Sequence, residues 1–189
     1  MAEREDDLHE IAQTFAGQAT TFLRATTQIA SGGAPAAAIP LLLLATSEIL
    51  AAGARLGAIV DVVPSERFEP DSGPDTDLDP LRTGLARALD GLDDYVEIID
   101  PILGPDAGPA TLSADIADIA SALTQGLAHF DAGHELEALW WWQFSFLSLW
   151  GERAAGAARV LHVILAHLRL DVEDDVAAEA EYDALQQHL

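Results

Sequence analysis

The stretch ELEALWWWQFSFLSLWGERAAGAARVLHVILAHLRL, residues 135–170, leaves the chain few ways to fold. It has helical length and no proline, and in an α-helix each residue advances about 100° around the axis. On that projection Leu139, Phe146, Trp150, Ala157, Leu161, Ile164 and Leu168 share one face. Trp140, Phe144, Leu147, Ala154 and Leu165 extend it round one flank, and Trp142, Leu149 and Val160 cover the other. A helix that is apolar nearly all round belongs at the centre of its domain. Trp140, Trp142 and Trp150 are therefore predicted to be core.

A narrow stripe remains, made of Glu137, Trp141, Ser145, Ser148, Glu152 and Arg159. Trp141 is the odd member, because an indole on a polar stripe needs a cover or a use. In one reading it lies under a long loop, with Ser145 and Ser148 bonding to loop backbone. In the other it floors a groove rimmed by Glu137, Glu152 and Arg159, and the loop contributes Arg67 and Phe68 to the same interaction surface.

That loop, DVVPSERFEPDSGPDTDLDP at residues 61–80, has four prolines and no helical period. A loop of this length inside a domain is usually functional or disordered. Val62, Val63 and Phe68 predict that its first half packs onto the body.

The rest of the chain reads as helices separated by glycine and proline. Leu8, Ile11, Phe15, Ala19, Phe22, Ala25 and Ile29 recur at three- and four-residue steps, which predicts a helix over 7–30. SGGAP ends it and starts a second helix reaching about residue 60, with Pro40 either kinking that helix or marking its true start. Glu48 and Arg55 lie two turns apart on it, either in a shared internal contact or at a solvent edge. Asp79 and Pro80 open a helix over 78–91, and DDYVEIID at 93–100 reads as a short one. Ser113 is the predicted cap of a helix closing at Gly133, whose buried face is Ile116, Ile119, Ala120, Leu123, Leu127 and Phe130. No convincing strand and no internal repeat is legible. The prediction is an all-α, single-domain irregular bundle of about five to seven helices around a buried central helix at 135–170. The domain spans 1–170, and the acidic tail 171–189 adds at most a short helix.

Several chemistries are poorly supported by the residues. Cysteine is absent, which removes thiolate nucleophiles and zinc–thiolate sites. Glu-x-x-His pairs of the di-iron bundle type do not occur, and His162 and His167 point to different sides of their helix. Asp75, Asp77 and Asp79 resemble the opening of a calcium loop, but Pro80 stands where glycine is needed and Ala86 where the bidentate glutamate is needed. No cofactor and no metal are expected. Asp115, Asp118, Gln125 and His129 share the polar side of the 113–131 helix. They read as a solvated face or, alternatively, as the acid–base or metal face of a small-molecule bundle enzyme.

Charge bears on partners. The chain carries 32 carboxylates against nine arginines, no lysine and a net charge of −23. With no basic stripe to neutralise phosphates, direct nucleic-acid binding is not expected. The acidity is either a solvation habit or a surface for a basic protein. Glu48 and Arg55 interrupt the longest apolar run, so a membrane span is not expected, and the N-terminus is acidic where a signal peptide is basic. A cytoplasmic location follows as an expectation; oligomeric state is not legible.

Three segments resemble one family: VPSERFEPDSGPDTDLDPLR, LSADIADIASALTQGLAHFDAG and, most specifically, the WWWQFSFLSLWG string with its flanks. Together they are similar to domain-of-unknown-function family 5063, of high-GC Gram-positive bacteria, over roughly residues 10–171. The resemblance implies a helical cytoplasmic protein and carries no catalytic residues. It favours an accessory partner of DNA-processing proteins over a metabolic enzyme. The expected function is thus a non-enzymatic, acidic, helical interaction protein with an unidentified protein partner.

Overall fold

The computed structural model describes residues 2–59, 61–64, 76–99 and 102–186, with side chains over 7–59, 61–64, 76–99 and 102–170. Helix α1 (Ala2–Ala30) buries the predicted stripe, with Ala12, Phe15, Ala19, Phe22 and Ile29 inside. Gly32, at φ +80°, turns the chain out of it. A 3-10 turn at Pro35–Ala37 leads into α2 (Ala38–Ala58), so Pro40 sits in the first turn of a new helix, where its missing N–H is harmless. Pro35–Ala58 is long and apolar enough to cross a membrane by length and composition, yet Leu42, Ile49 and Leu56 are turned into the bundle. Glu48 and Arg55 resolve to the solvent edge, and both line an open groove of about 550 Å³ between α1 and α2.

Helix α3 (Asp79–Ala88) starts at the expected Asp-Pro and seats Gly84 against the carbonyl of Ala30. The predicted short helix over 93–100 is instead a strand. Asp94–Ile98 (β1) pairs antiparallel with Ala107–Thr111 (β2) in a two-stranded sheet. Eight residues rich in β-branched Val and Ile are too few to propagate a helix. The expectation of a chain without strands is corrected to a helical bundle carrying one hairpin. Helix α4 (Leu112–Asp131) follows directly, and its N-cap is Thr111 rather than Ser113, since the Thr111 hydroxyl accepts from the Ala114 amide. Gly133, at φ +84°, closes it as predicted.

The central segment is one long rod with a fault in it. Helix α5 (Glu135–Ser145) passes through a π-turn at Phe146–Trp150 into α6 (Gly151–Gln186), which continues into the acidic tail as far as Gln186. One line of its buried residues shows the fault: Ala138, Trp142, Ser145, then Trp150, Ala154, Ala157, Leu161, with Glu137, Leu139, Gln143 and Gly151 buried beside it. One step is five residues where α periodicity allows three or four, and a π-turn supplies the extra residue. Trp142 and Trp150 are fully buried, with Phe15 of α1 packed against both rings. Trp140 is only partly buried and stacks on exposed Phe144. Two glycines make room for the large rings: a Cβ at Gly126 of α4 would overlap the Trp142 indole, and one at Gly53 of α2 would overlap Phe146 and Trp150.

The fold is therefore all-α, with six α-helices and one hairpin among the described residues, arranged irregularly around the α5–α6 rod.

Candidate functional site

The π-turn scatters the stripe predicted around Trp141. Ser145 is buried, donating to the Trp141 carbonyl at 2.6 Å and accepting from the Trp150 indole at 3.1 Å. Glu137 is also buried. Ser148 is exposed and bonds the Phe144 carbonyl of its own helix, while Glu152 and Arg159 face solvent. Trp141 is half-buried against α4, its Nε1 donating to the Ala122 carbonyl at 2.9 Å. Among the described residues the serines bond within the rod, and burial separates Glu137 and Ser145 from exposed Ser148, Glu152 and Arg159. Arg67 and Phe68 lie outside the described residues. Of the loop's packing residues Val62 is buried and Val63 exposed.

Gln143, inside the tryptophan string and not singled out by its pattern, ties the loop down. Its Nε2 donates to the Leu56 carbonyl at 2.8 Å and its Oε1 accepts from the Val62 amide at 2.9 Å. One side chain therefore satisfies the end of α2 and the chain leaving it.

The alternative face on α4 also comes apart. Asp115 and His129 are both buried, but 14 residues of helix separate them, about 21 Å of rise. His129 therefore joins neither Asp115 nor Asp118. Gln125 is half-buried nearer the helix's far end. No group of three or more His, Asp or Glu side chains is placed to hold a metal among the described residues.

Asp115 and Asp118 instead meet residues that periodicity did not flag. The Tyr95 hydroxyl of β1 donates to Asp115 Oδ2 at 2.6 Å, and Arg153 of α6 donates to Asp115 Oδ1 at 2.8 Å. Arg153 Nε lies 3.3 Å from Asp118 Oδ2, and Arg82 of α3 approaches Asp118 at 3.7 Å and Asp79 at 3.0 Å. Gly156 keeps α6 smooth beneath the hairpin, since a Cβ there would sit 3.2 Å from Glu97 Oε1 and 3.3 Å from the Tyr95 hydroxyl. Asp93 closes the other end, accepting from the Ser113 amide at 2.8 Å and its hydroxyl at 2.6 Å.

The electrostatics of this joint follow from burial. Burial and the Asp115 carboxylate push the Tyr95 hydroxyl up, which keeps it a proton donor. Burial raises the Asp115 carboxyl, against the bonds donated by Tyr95 and Arg153. Burial works against the Arg153 charge, but Asp115 and Asp118 hold the guanidinium above its ordinary value. Glu97 is raised by burial and by Asp115 and Glu152, with Arg153 only partly offsetting them. The arrangement fastens a hairpin to a bundle with charge-assisted bonds.

What is fastened there faces solvent with an apolar surface. On the side away from α6, Val96 is 72 % exposed and Ile98 43 %, and in the loop joining the two strands Ile102 and Leu103 are 91 % and 87 % exposed. Pro109 and Ala107 lie opposite Val96 and Ile98 in the ladder and complete the face. Between Arg87 and Arg153 the sequence contains no basic side chain of the lysine or arginine type, while Asp90, Asp93, Asp94, Glu97 and Asp106 surround the hairpin. Exposed apolar side chains are thus gathered on one side of the hairpin and in its connecting loop. The signal that could have found it is the β-branched run VEII between aspartates, followed by Gly and Pro.

Comparison with known proteins agrees with the bundle. Residues 6–167 match the family described as Domain of unknown function (DUF5063), and the chain belongs to that family. The crystal structure of protein BF1032 from Bacteroides fragilis superposes with a TM-score of 0.64 at 20 % identity, covering 79 % of this chain and 89 % of that one. At that identity the likeness is one of fold. No curated protein matches the chain.

Proposed function

We propose that this member of the family is a non-enzymatic interaction protein that docks a basic protein partner through its hairpin. The observation that carries the reading is the exposed face of Val96, Ile98, Ile102 and Leu103 in a stretch devoid of Lys and Arg. Exposed apolar area supplies affinity, and the acidic surround supplies attraction and selectivity for a positively charged partner. The partner class includes DNA-processing proteins, whose basic surfaces fit a chain of net charge −23 that is itself ill-suited to bind nucleic acid. A cytoplasmic setting, no membrane insertion and no bound cofactor belong to the same reading.

Affinity capture with the full chain from native cytoplasm, at physiological salt, tests it. The variant Val96→Ser/Ile98→Ser/Leu103→Ser is expected to lose the partner while keeping the wild-type melting temperature. Trp141→Ala and Arg67→Ala serve as comparators, because they probe the tryptophan–loop surface instead. A partner lost with those two and kept by the serine variant would move the docking surface away from the hairpin.

A further inference from the structure

The ladder register shows which edge of the hairpin is open. Leu112 donates to the Asp93 carbonyl and Ile99 to the Asp106 carbonyl, so the hydrogen-bonded pairs are those of the odd-numbered β1 residues. Asp94, Val96 and Ile98 occupy the other pairs, and their N–H and C=O groups point outward along the free edge of β1. On β2 the matching outward positions are Ala107, Pro109 and Thr111. Pro109 has no N–H to offer, so the β2 edge is interrupted at its centre. The described sheet has two strands, and β1 keeps an uninterrupted outer edge.

We infer that the outer edge of β1 is a strand-addition site for an extended protein segment alternating apolar and basic residues. This rests on the docking role proposed for the hairpin and specifies its mode. An added strand alternates its side chains between the two faces of the sheet. On the outer face they would continue the row of Val96 and Ile98. On the inner face they would meet Glu97, whose ionisation is opposed by burial, by Asp115 and by Glu152 of α6, with Arg153 offsetting them only in part. Cationic side chains would relieve that like-charge contact. A second copy of this chain brings its own acidic hairpin to the edge, so charge favours a basic segment over self-pairing.

The test uses the full chain and a synthetic peptide of about ten residues alternating valine with lysine. Three controls accompany it: one N-methylated at alternate amides, one with glutamate for lysine, and one with the same residues shuffled out of alternation. Amide exchange by NMR and titration at low and physiological salt are the readouts. The alternating peptide is expected to protect the amides of Asp94, Val96 and Ile98 and to bind more weakly as salt rises. N-methylation or the Val96→Pro variant should weaken binding by at least about tenfold. Val96→Pro removes an outward N–H and none of the bonds of the ladder itself, and retained protection at Tyr95 and Glu97 verifies the hairpin. Should that variant not fold, Val96→Lys keeps the amide and sets a like charge against the peptide, with the same expected loss. Equal binding by Val96→Pro, equal binding of the glutamate peptide, or protection mapping elsewhere overturns the inference. So does a wild-type dimer dissolved by Val96→Pro, which would make the occupant a second copy. If partner capture is lost in the serine variant but survives Val96→Pro, strand addition falls and the docking role stands. Capture that survives both removes the docking role as well.

Discussion

Replacing Arg153 by methionine asks how firmly the hairpin is held. Methionine keeps an unbranched stem on α6 but removes the guanidinium, leaving Asp115 with the Tyr95 hydroxyl as its remaining donor of this group. An exposed ion pair contributes about 0–1 kcal/mol, whereas removing one partner of a buried pair costs about 3–5 kcal/mol. Exposure decides between these. The Asp115 side chain is 1 % exposed, so the charge left behind is desolvated; Arg153 retains 33 %, so its own desolvation is partial. The lower end of the buried range follows, about 3 kcal/mol, consistent with the ~1.5–3 kcal/mol of one hydrogen bond to a charged group plus a stranded carboxylate. The cost has a ceiling, because a hairpin that swings away readmits water to Asp115. The variant therefore loses either global stability or hairpin closure. Urea unfolding at neutral pH measures the first, and amide exchange at Tyr95 and Glu97 measures the second. Asp115→Asn added to Arg153→Met should recover part of the loss, since a neutral amide tolerates the site better than a lone carboxylate. A loss under about 1 kcal/mol with unchanged hairpin exchange would refute the argument.

Four further outcomes are expected. Trp150→Ala should cost about 3–5 kcal/mol as a fully buried large-to-small change, and Trp141→Ala clearly less; equal losses in thermal melts would contradict the burial assigned to each. Gly126→Ala should destabilise more than Gly17→Ala, because an added Cβ overlaps the Trp142 indole at the first position and meets nothing within 4 Å at the second. Glu97 takes up protons more readily folded than unfolded, where its ordinary value is 4.5. In the window just above that value the native state holds the extra proton, so stability falls as pH rises, and Glu97→Gln should flatten that slope in pH-dependent melts. With a net charge of −23, the melting temperature should rise between low and moderate sodium chloride; a fall would sink the self-repulsion argument.

The helices were legible because glycine and proline punctuate this chain and the apolar periods between them are clean. Gly32, Pro35, Pro80 and Gly133 fall at or near the ends they signalled. The π-turn was not legible, since a five-residue step among so many apolar side chains leaves no visible gap. Projecting 135–170 as an uninterrupted α-helix therefore put Ser145 and Glu137 on a solvent stripe, whereas the rod buries both. The hairpin was missed for a different reason. β2 is AGPAT, with the two residues least compatible with strands, and it exists because β1 and the Thr111 cap hold it in register. At the hairpin joint, Asp115 and Asp118 were noticed as a polar pair, but their partners were not. Tyr95 is 20 residues and Arg153 38 residues from Asp115, a pairing that only the fold brings about.

Pro109 limits how far such sheets could grow by edge-to-edge pairing. A sheet open on both sides is a bifunctional monomer, able to grow without limit in either direction. A hairpin whose second edge lacks its central donor is monofunctional. One strand can join at β1, and if that strand is the β1 of another such hairpin, both outer edges of the product are the interrupted ones. Growth then stops at two. An exposed apolar hairpin is ordinarily a seed for fibres; if β1 accepts a strand as inferred above, a single imino acid facing outward opposite Val96 would make this one a chain terminator.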